Sequence, residues 1–412
     1  MIASDFGREL LERYGSPLYV YDLDEAERQA RALFDLLPAG GQVLYSVKAN
    51  PIPEVCAALG KAGCRVEIAS PQELRVVQEA GLPPDRMLCS GPGKTASILR
   101  EMLLAGVTHF SCDSWYDLER VARVAEETGR HANALMRLQV SGLPSGTAGV
   151  GAMQSHFGAD PAELLDGGAA RVAGLRGVEL AGIHIYSGGQ IQSAEKLAAT
   201  FEHAIQLAEE IVKAGLPLRL LDLGGGFPWP FGTSDAPIDI SALKEKLDRI
   251  SAERRFTADA ELWFESGRYL IASAGTLLST VLDVKTAHEG KTYVILDTGM
   301  VHLGGMAGLG RIYRAVASIE PLGHSRDGTT ESADVVGPTD YALDYVARDT
   351  SVPPLTPGDV VRIPNVGAYG LTASLVAFAG LQPPAEVCCR GTSVISVHRY
   401  RTGHERISSQ AL

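Results

Sequence analysis

Residues 43–74, VLYSVKANPIPEVCAALGKAGCRVEIASPQEL, decide the fold. Two short apolar runs of strand length, 43–47 and 65–68, flank a segment that reads as helix. Equivalent runs follow at 86–89, 109–112, 135–140, 178–186, 219–223 and 261–265. The first four start at residues 43, 65, 86 and 109, a spacing that leaves room for one helix each. Ser114 is an N-cap candidate for a helix over 114–128 (SWYDLERVARVAEET), and 193–214 carries apolar residues at i, i+3 and i+4. Eight strands alternating with helices predict a (β/α)8 barrel of the α/β class, because an open doubly wound sheet uses fewer.

Beyond residue 271 the texture changes. Segments 277–285 (LLSTVLDVK), 291–296, 313–319, 359–363 and 393–400 are rich in Val, Ile, Thr and Tyr, with turn residues between them. They predict a C-terminal all-β domain, which the strand-like PLYVY at 17–21 joins. The expected division is an N-terminal segment 1–25 pairing with the β-domain, a barrel over 26–270 and the β-domain over 271–412. The polar, glycine-rich 323–332 reads as a loop.

Working outward to the whole chain, 412 residues carry 37 Lys+Arg against 49 Asp+Glu, a net charge of −12. An acidic protein lacks the clustered cations that phosphate neutralisation demands, so nucleic acid is not an expected partner. No apolar run reaches the roughly 20 residues of a membrane helix, and the N-terminus lacks the apolar core of a signal peptide; a cytoplasmic location is expected. The cysteines, Cys56, Cys64, Cys89, Cys112, Cys388 and Cys389, form neither a disulfide scaffold nor a metal-ligand spacing, so no metal is expected.

Functional groups on such a barrel sit where strands end. The first strand ends at Lys48, where desolvation among apolar neighbours makes an amine nucleophilic. The sixth ends at His184, the seventh at Gly224-Gly225-Gly226, and the eighth at Glu265, followed by Ser266, Gly267 and Arg268. Taken singly, these are a snorkelling lysine, a packed histidine, a tight turn and a salt bridge. Together they suit pyridoxal 5′-phosphate: an amine for the Schiff base, glycines and an arginine for the phosphate, a carboxylate for the pyridine nitrogen and an imidazole for the ring face.

The same motifs resemble the fold-type III pyridoxal-phosphate decarboxylases, which include the ornithine and diaminopimelate decarboxylases. The resemblance runs from GSPLYVYD at 15–22 to GAYGLTAS at 367–374. It implies that Lys48 in YSVKAN carries the cofactor, His184 in GIHI stacks on it, GGGFP at 224–228 takes its phosphate, and Glu265, Gly267 and Arg268 stand for the family's Glu-Pro-Gly-Arg. Tyr369 of GAYG reaches the cofactor's edge. VEIASPQEL places Ser70 and Glu73 nearby, with Glu67 where aspartate is common, and His156 in SHFG replaces a frequent lysine.

One segment departs from the family. Its Gly-Pro-x-Cys-(x)3-Asp, contributed across a homodimer interface, reads GPTDYALD here, residues 337–344. Asp340 replaces the cysteine as proton donor, or is a plain turn residue. Tyr341 stands where a distal-amine binder is often acidic, Asp344 is retained, and Arg311 and Arg314 are candidates for a distal carboxylate. The C-terminal wording and HIYSGGQ resemble decarboxylases of secondary metabolism, which act on carrier-protein-bound glutamate, citrate-conjugated diamino acids of siderophore pathways, and exopolysaccharide-linked substrates. The expected activity is α-decarboxylation of an amino acid or amino-acid conjugate by a homodimer with shared sites. Its rivals are an amino-acid racemase, which Glu265 opposes, decarboxylation coupled to transamination, and a non-catalytic binder.

Overall fold

The computed structural model describes residues 2–139, 156–288, 290–307, 314–323 and 330–405. Two compact units divide the chain. One comprises Met1–Glu25, Pro230–Ala236 and Ile271–Leu412, the other Ala26–Trp229 and Pro237–Leu270.

The first unit begins with a helix over Ser4–Tyr14 and strand β1 (Leu18–Asp22). The second unit holds β2 (Gln42–Ser46), β3 (Arg65–Ile68), β4 (Met87–Cys89), β5 (His109–Cys112), β6 (Ala132–Leu138), β7 (Val178–Ile185), β8 (Leu220–Asp222) and β9 (Glu261–Ser266). These eight close into a barrel in chain order, every neighbouring pair parallel, with β9 returning to β2. Leu44, Leu88, Leu135, Ala181, Leu220 and Trp263 fill its interior. Side chains buried from β2, β4, β6, β7, β8 and β9 make this a packed core, so chemistry is confined to the strand ends and the loops that follow them.

Those loops are stopped by side chains. Ser70, Thr95, Ser114 and Ser193 each cap the following helix, accepting from the N–H three residues on. Glu73 and Asp117 return the favour, their carboxylates accepting from the N–H groups of Ala69 (2.6 Å) and Asp113 (3.1 Å). The turns after β3 and β5 are thereby fixed by reciprocal hydrogen bonds.

In the first unit, β10 (Gly275–Thr286), β11 (Thr292–Leu296), β12 (Glu320–Pro321), β13 (Glu331–Val336), β14 (Tyr345–Val352), β15 (Val360–Ile363), β16 (Ala385–Arg390) and β17 (Ser393–Arg399) complete a mixed sheet. Its order is β14-β13-β11-β10-β1-β16-β17, with β15 on β10 and β12 on β15. β1 is antiparallel to β10 and parallel to β16, so the N-terminal strand lies in the middle of the C-terminal sheet. Leu10, Leu18, Val20, Leu278, Leu322 and Val387 build the core there.

Of the strand expected at 313–319, the described residues 314–319 form none. Val316 makes only an isolated bridge to Ala347, and the backbone N–H groups of Ala317 and Ser318 go to Val346 and Gly232. The segment's bonds to β14, from Ala317 N to Val346 O and from Arg348 N to Ala315 O, close one bridge and do not extend into a ladder. The loop expected at 323–332 gives way to β13 at Glu331, while 324–329 lie outside the described residues. Strands β13, β14 and β16 escape sequence reading because their polar residues (ESADVV, YVARDTSV, AEVCCR) hide the alternation. Among the described residues, no helix is long and apolar enough to cross a membrane.

Candidate active site

Lys48 lies in a one-turn 3-10 helix, Val47–Ala49, directly after β2. The desolvated amine expected there is instead half exposed, and its Nζ donates to both carboxylate oxygens of Glu67 at 3.1 Å. The reason is register: Ser46 and Glu67 are paired across β2 and β3, so Glu67 points to the same mouth. Burial works against the Glu67 anion. The Lys48 ammonium and hydrogen bonds from Ser46, Ser90 and Lys48 outweigh it and hold the carboxyl down at about 2. An anion fixed in this way tethers the amine without burying it.

His184, near the end of β7, is buried, and its Nδ1 is 2.7 Å from Ser111 Oγ on β5. Burial, and then the Arg137 guanidinium, hold the imidazole well below its usual range, so it is neutral. Its Nε2 faces Glu265 Oε1 at 3.6 Å, too far for a hydrogen bond. Glu265 is itself held well above the usual carboxylate range by burial and the anions Glu67 and Asp222. Asp222, at the end of β8, is pushed up to about 7, first by burial. Burial and mutual repulsion thus both disfavour ionisation of this carboxyl pair.

His184 Nε2, Asp222 Oδ2 and Glu265 Oε1 are buried with no hydrogen-bond partner among the described residues. Leaving three such atoms unmade costs free energy, which an incoming polar group recovers. An imidazole and two carboxylates are also a metal donor set, with ligand atoms within 4.8 Å of one another. The Lys48 and Arg137 cations act on these same groups and oppose a dication there.

Beside them the turn Gly224-Gly225-Gly226 runs from β8. The Gly224 N–H donates to Asp222 Oδ1 at 3.0 Å, and its carbonyl accepts from Glu265 N at 2.7 Å. Gly224 and Gly226 have φ of +66° and +112°. A Cβ on Gly225 would strike the Glu265 carbonyl and one on Gly226 would lie 2.7 Å from Ile191, so only glycine keeps this cradle open. Gly267 and Arg268 follow β9, the arginine opening the one-turn helix Arg268–Ile271. The donor set fits pyridoxal phosphate: Lys48 for the carbonyl carbon, Glu265 for the ring nitrogen, neutral His184 for the ring face, and the glycine turn with Arg268 for the phosphate.

Residues expected from the first unit occupy different surroundings. Asp340 is exposed, and Tyr341, 44% exposed, sets its ring edge-on to Phe378 at 6.1 Å. Asp344 is buried and engaged: Oδ1 accepts from Met300 N at 2.7 Å, and Oδ2 from Thr339 N at 3.1 Å and Thr339 Oγ1 at 2.6 Å. It organises its own loop. Tyr369 has φ +55°, an unusual backbone conformation for an aromatic residue. Arg311 lies outside the described residues and Arg314 is exposed. In the second unit His156 is exposed against Phe157, while Ser70 and Glu73 serve the helix cap.

Sequence reading missed Asp222, Ser90, Ser111 and Arg137. Asp222 and Ser111 were findable as polar residues inside otherwise apolar strand-end runs. Ser90 and Arg137 carry no local signal.

Residues 23–272 match the family model described as pyridoxal-dependent decarboxylase, pyridoxal binding domain. The chain is 30% identical to an L-glutamyl-[BtrI acyl-carrier protein] decarboxylase of Niallia circulans, over 97% of this chain and 95% of the relative. It is 32% identical to a diaminopimelate decarboxylase of Pseudomonas aeruginosa, over 98% of this chain and 94% of the relative. The crystal structure of a lysine decarboxylase from Selenomonas ruminantium superposes with TM-score 0.80 at 26% identity, covering 95% of this chain and 96% of that one. Barrel, strand-end groups and these similarities agree, and the chain belongs to the pyridoxal-dependent decarboxylases.

Proposed function

We propose that this protein removes the α-carboxylate of an amino acid whose distal end carries no free ammonium, either as a conjugate or bound to a carrier protein. The observation that carries the reaction class is the buried, partnerless trio of His184, Asp222 and Glu265 beside the tethered Lys48 amine. Pyridoxal phosphate, when bound, supplies the electron sink for the bond broken at Cα. Lys48 would hold the cofactor's carbonyl carbon, and when its amine is not so engaged Glu67 keeps it at the barrel mouth, where it can move a proton at Cα. Glu265 would pair with the ring nitrogen and favour its protonated form, whereas a racemase usually pairs that nitrogen with arginine. His184, neutral and oriented by Ser111, offers a flat face.

The substrate class rests on the 337–344 loop. The Asp344 carboxylate is spent on Met300 and Thr339, and Tyr341 presents an aromatic ring instead of an acid. A distal ammonium finds no anion in that loop except Asp340. The similarity to a decarboxylase of a carrier-bound glutamyl group supports the same reading. Exposed Asp340, Tyr341 and Leu343 suit a homodimer in which this loop completes a partner's site, with Asp340 as proton donor.

Incubation in D2O with free diamino acids, citryl conjugates and carrier-bound glutamate, read by mass spectrometry, tests the proposal. An amine that has lost CO2 and gained one deuterium supports it. Carboxyl retained with deuterium at Cα identifies a racemase, and a carbonyl product identifies coupled transamination. Preference for free diamino acids would overturn the substrate class alone. For the dimer, Lys48→Ala and Asp340→Ala chains, each inactive, should recover activity when mixed; no recovery counts against shared sites.

A further inference from the structure

The loop after β7, YSGGQ at 186–190, makes a contact that the reaction does not use. Gln190 has φ +58°, a conformation that costs a non-glycine residue free energy and persists only when its surroundings demand it. Its side-chain amide pairs with the backbone of one residue in the next loop. Nε2 donates to the Trp229 carbonyl at 2.8 Å, and Oε1 accepts from the Trp229 N–H at 2.8 Å. One residue on, the Ile191 N–H donates to the Gly226 carbonyl at 2.9 Å. Three hydrogen bonds therefore bracket the stretch Gly226–Trp229, directly after the glycine turn. The Trp229 ring meets Tyr269 edge-on, with centroids 5.4 Å apart at 89°, and Tyr269 follows Arg268 in the one-turn helix.

We propose that Gln190 is the positioning residue of the phosphate cradle. Its two-point latch on Trp229 holds the glycine turn open, and through the Trp229–Tyr269 contact the same latch sets the place of Arg268. A turn with glycine at φ +66° and +112° has many alternatives when free, so something outside it must select one. A primary amide is suited to this, because it donates and accepts in one plane and replaces a strand neighbour without adding charge beside an anion. The proposal rests on the reading that this turn takes the cofactor's phosphate.

The test compares two probes, pyridoxal 5′-phosphate and pyridoxal, which differ only in the phosphate. Their dissociation constants are measured by equilibrium dialysis on the full chain and on Gln190→Gly, which accepts the positive φ and deletes both bonds. Affinity for pyridoxal 5′-phosphate should fall by about tenfold or more, with pyridoxal affinity within about twofold, so that the ratio between the probes collapses. A merely structural role would weaken both alike, and an unchanged ratio overturns the proposal. Tyr269→Leu, which spares the latch but breaks its link to Arg268, should lower the ratio less; if Gln190→Gly does not fold, an unchanged ratio in Tyr269→Leu overturns it. Binding of neither probe by the unaltered chain would instead refute the cofactor reading.

Discussion

At the mouth of the barrel, buried polar groups have bonding capacity left over; in the 337–344 loop of the other unit, the buried carboxylate has both oxygens engaged. His184, Asp222 and Glu265 each keep an atom without a partner, whereas Asp344 spends itself on Met300 and Thr339. A protein tolerates unmade hydrogen bonds only where something else recovers their cost, so the first region is built to receive a ligand and the second to hold a shape. The residues that the second region offers to other molecules, Asp340, Tyr341 and Leu343, are on its surface.

The largest effect that would test this contrast is loss of the amine. Lys48→Ala should lower kcat/KM by on the order of 10⁴-fold or more, and the cofactor-free protein should also lose some melting temperature, because the buried Glu67 carboxylate loses the ammonium that offsets its burial. An unchanged rate would remove Lys48 from the chemistry. Arg268→Ala should weaken cofactor retention by roughly ten- to a hundredfold, the value of one or two charge-assisted hydrogen bonds, read as absorbance lost on dialysis.

Asp344→Ala is the counterpart on the other side of the comparison. It strands the Met300 and Thr339 N–H groups and should cost roughly 2–4 kcal/mol in denaturant unfolding. Affinity for cofactor should hardly move. Equal losses in both measurements would mean that Asp344 belongs to the site.

A pH experiment sharpens the electrostatic half. Asp222 is raised to about 7, so between its unfolded value near 4 and about 7 the folded chain keeps a proton that the unfolded chain releases. Stability contributed by this group is present below that window and is lost as pH rises through it. Asp222→Asn keeps the oxygen that accepts from Gly224 but cannot ionise. The cofactor-free variant should therefore gain melting temperature over the parent at pH 8, by roughly a few degrees, and gain little at pH 5. The same gain at both values would place the effect in packing.

What could be read from residues alone follows the same division. The barrel was legible because each strand is a short apolar run, and the candidate site residues Lys48, His184, the glycines and Glu265 stand at or just beyond the strand ends. Asp222 and Ser111 carry the same signal one residue earlier and were overlooked, since a single acid inside LLD or a serine inside HFSC reads as an ordinary interruption. The state of Lys48 was not legible, because its half-exposed ion pair depends on Glu67, nineteen residues away and brought beside it only by the parallel register of β2 and β3. The mixed sheet was legible in its apolar strands and lost in β13, β14 and β16, whose polar residues hide the alternation. The role of Asp344 needed Met300 and Thr339 in place.

The smallest expected effect is also the most discriminating for substrate. Tyr341 is 44% exposed and touches Phe378 only edge-on at 6.1 Å, so Tyr341→Ala should change stability by no more than about 0.5 kcal/mol. An aromatic ring kept at the surface beside an exposed Leu343 is more apolar area than the fold itself uses. If that ring faces the distal part of a substrate, KM for the preferred conjugate should rise several-fold with kcat nearly constant, since a contact made equally in ground and transition states moves KM alone. Tyr341→Asp should go further and shift preference toward substrates with a distal ammonium, because it restores an anion where Asp344 has none to give. If both variants leave KM unchanged but shift the protein toward monomer in sedimentation, the ring is interface and the substrate is selected elsewhere.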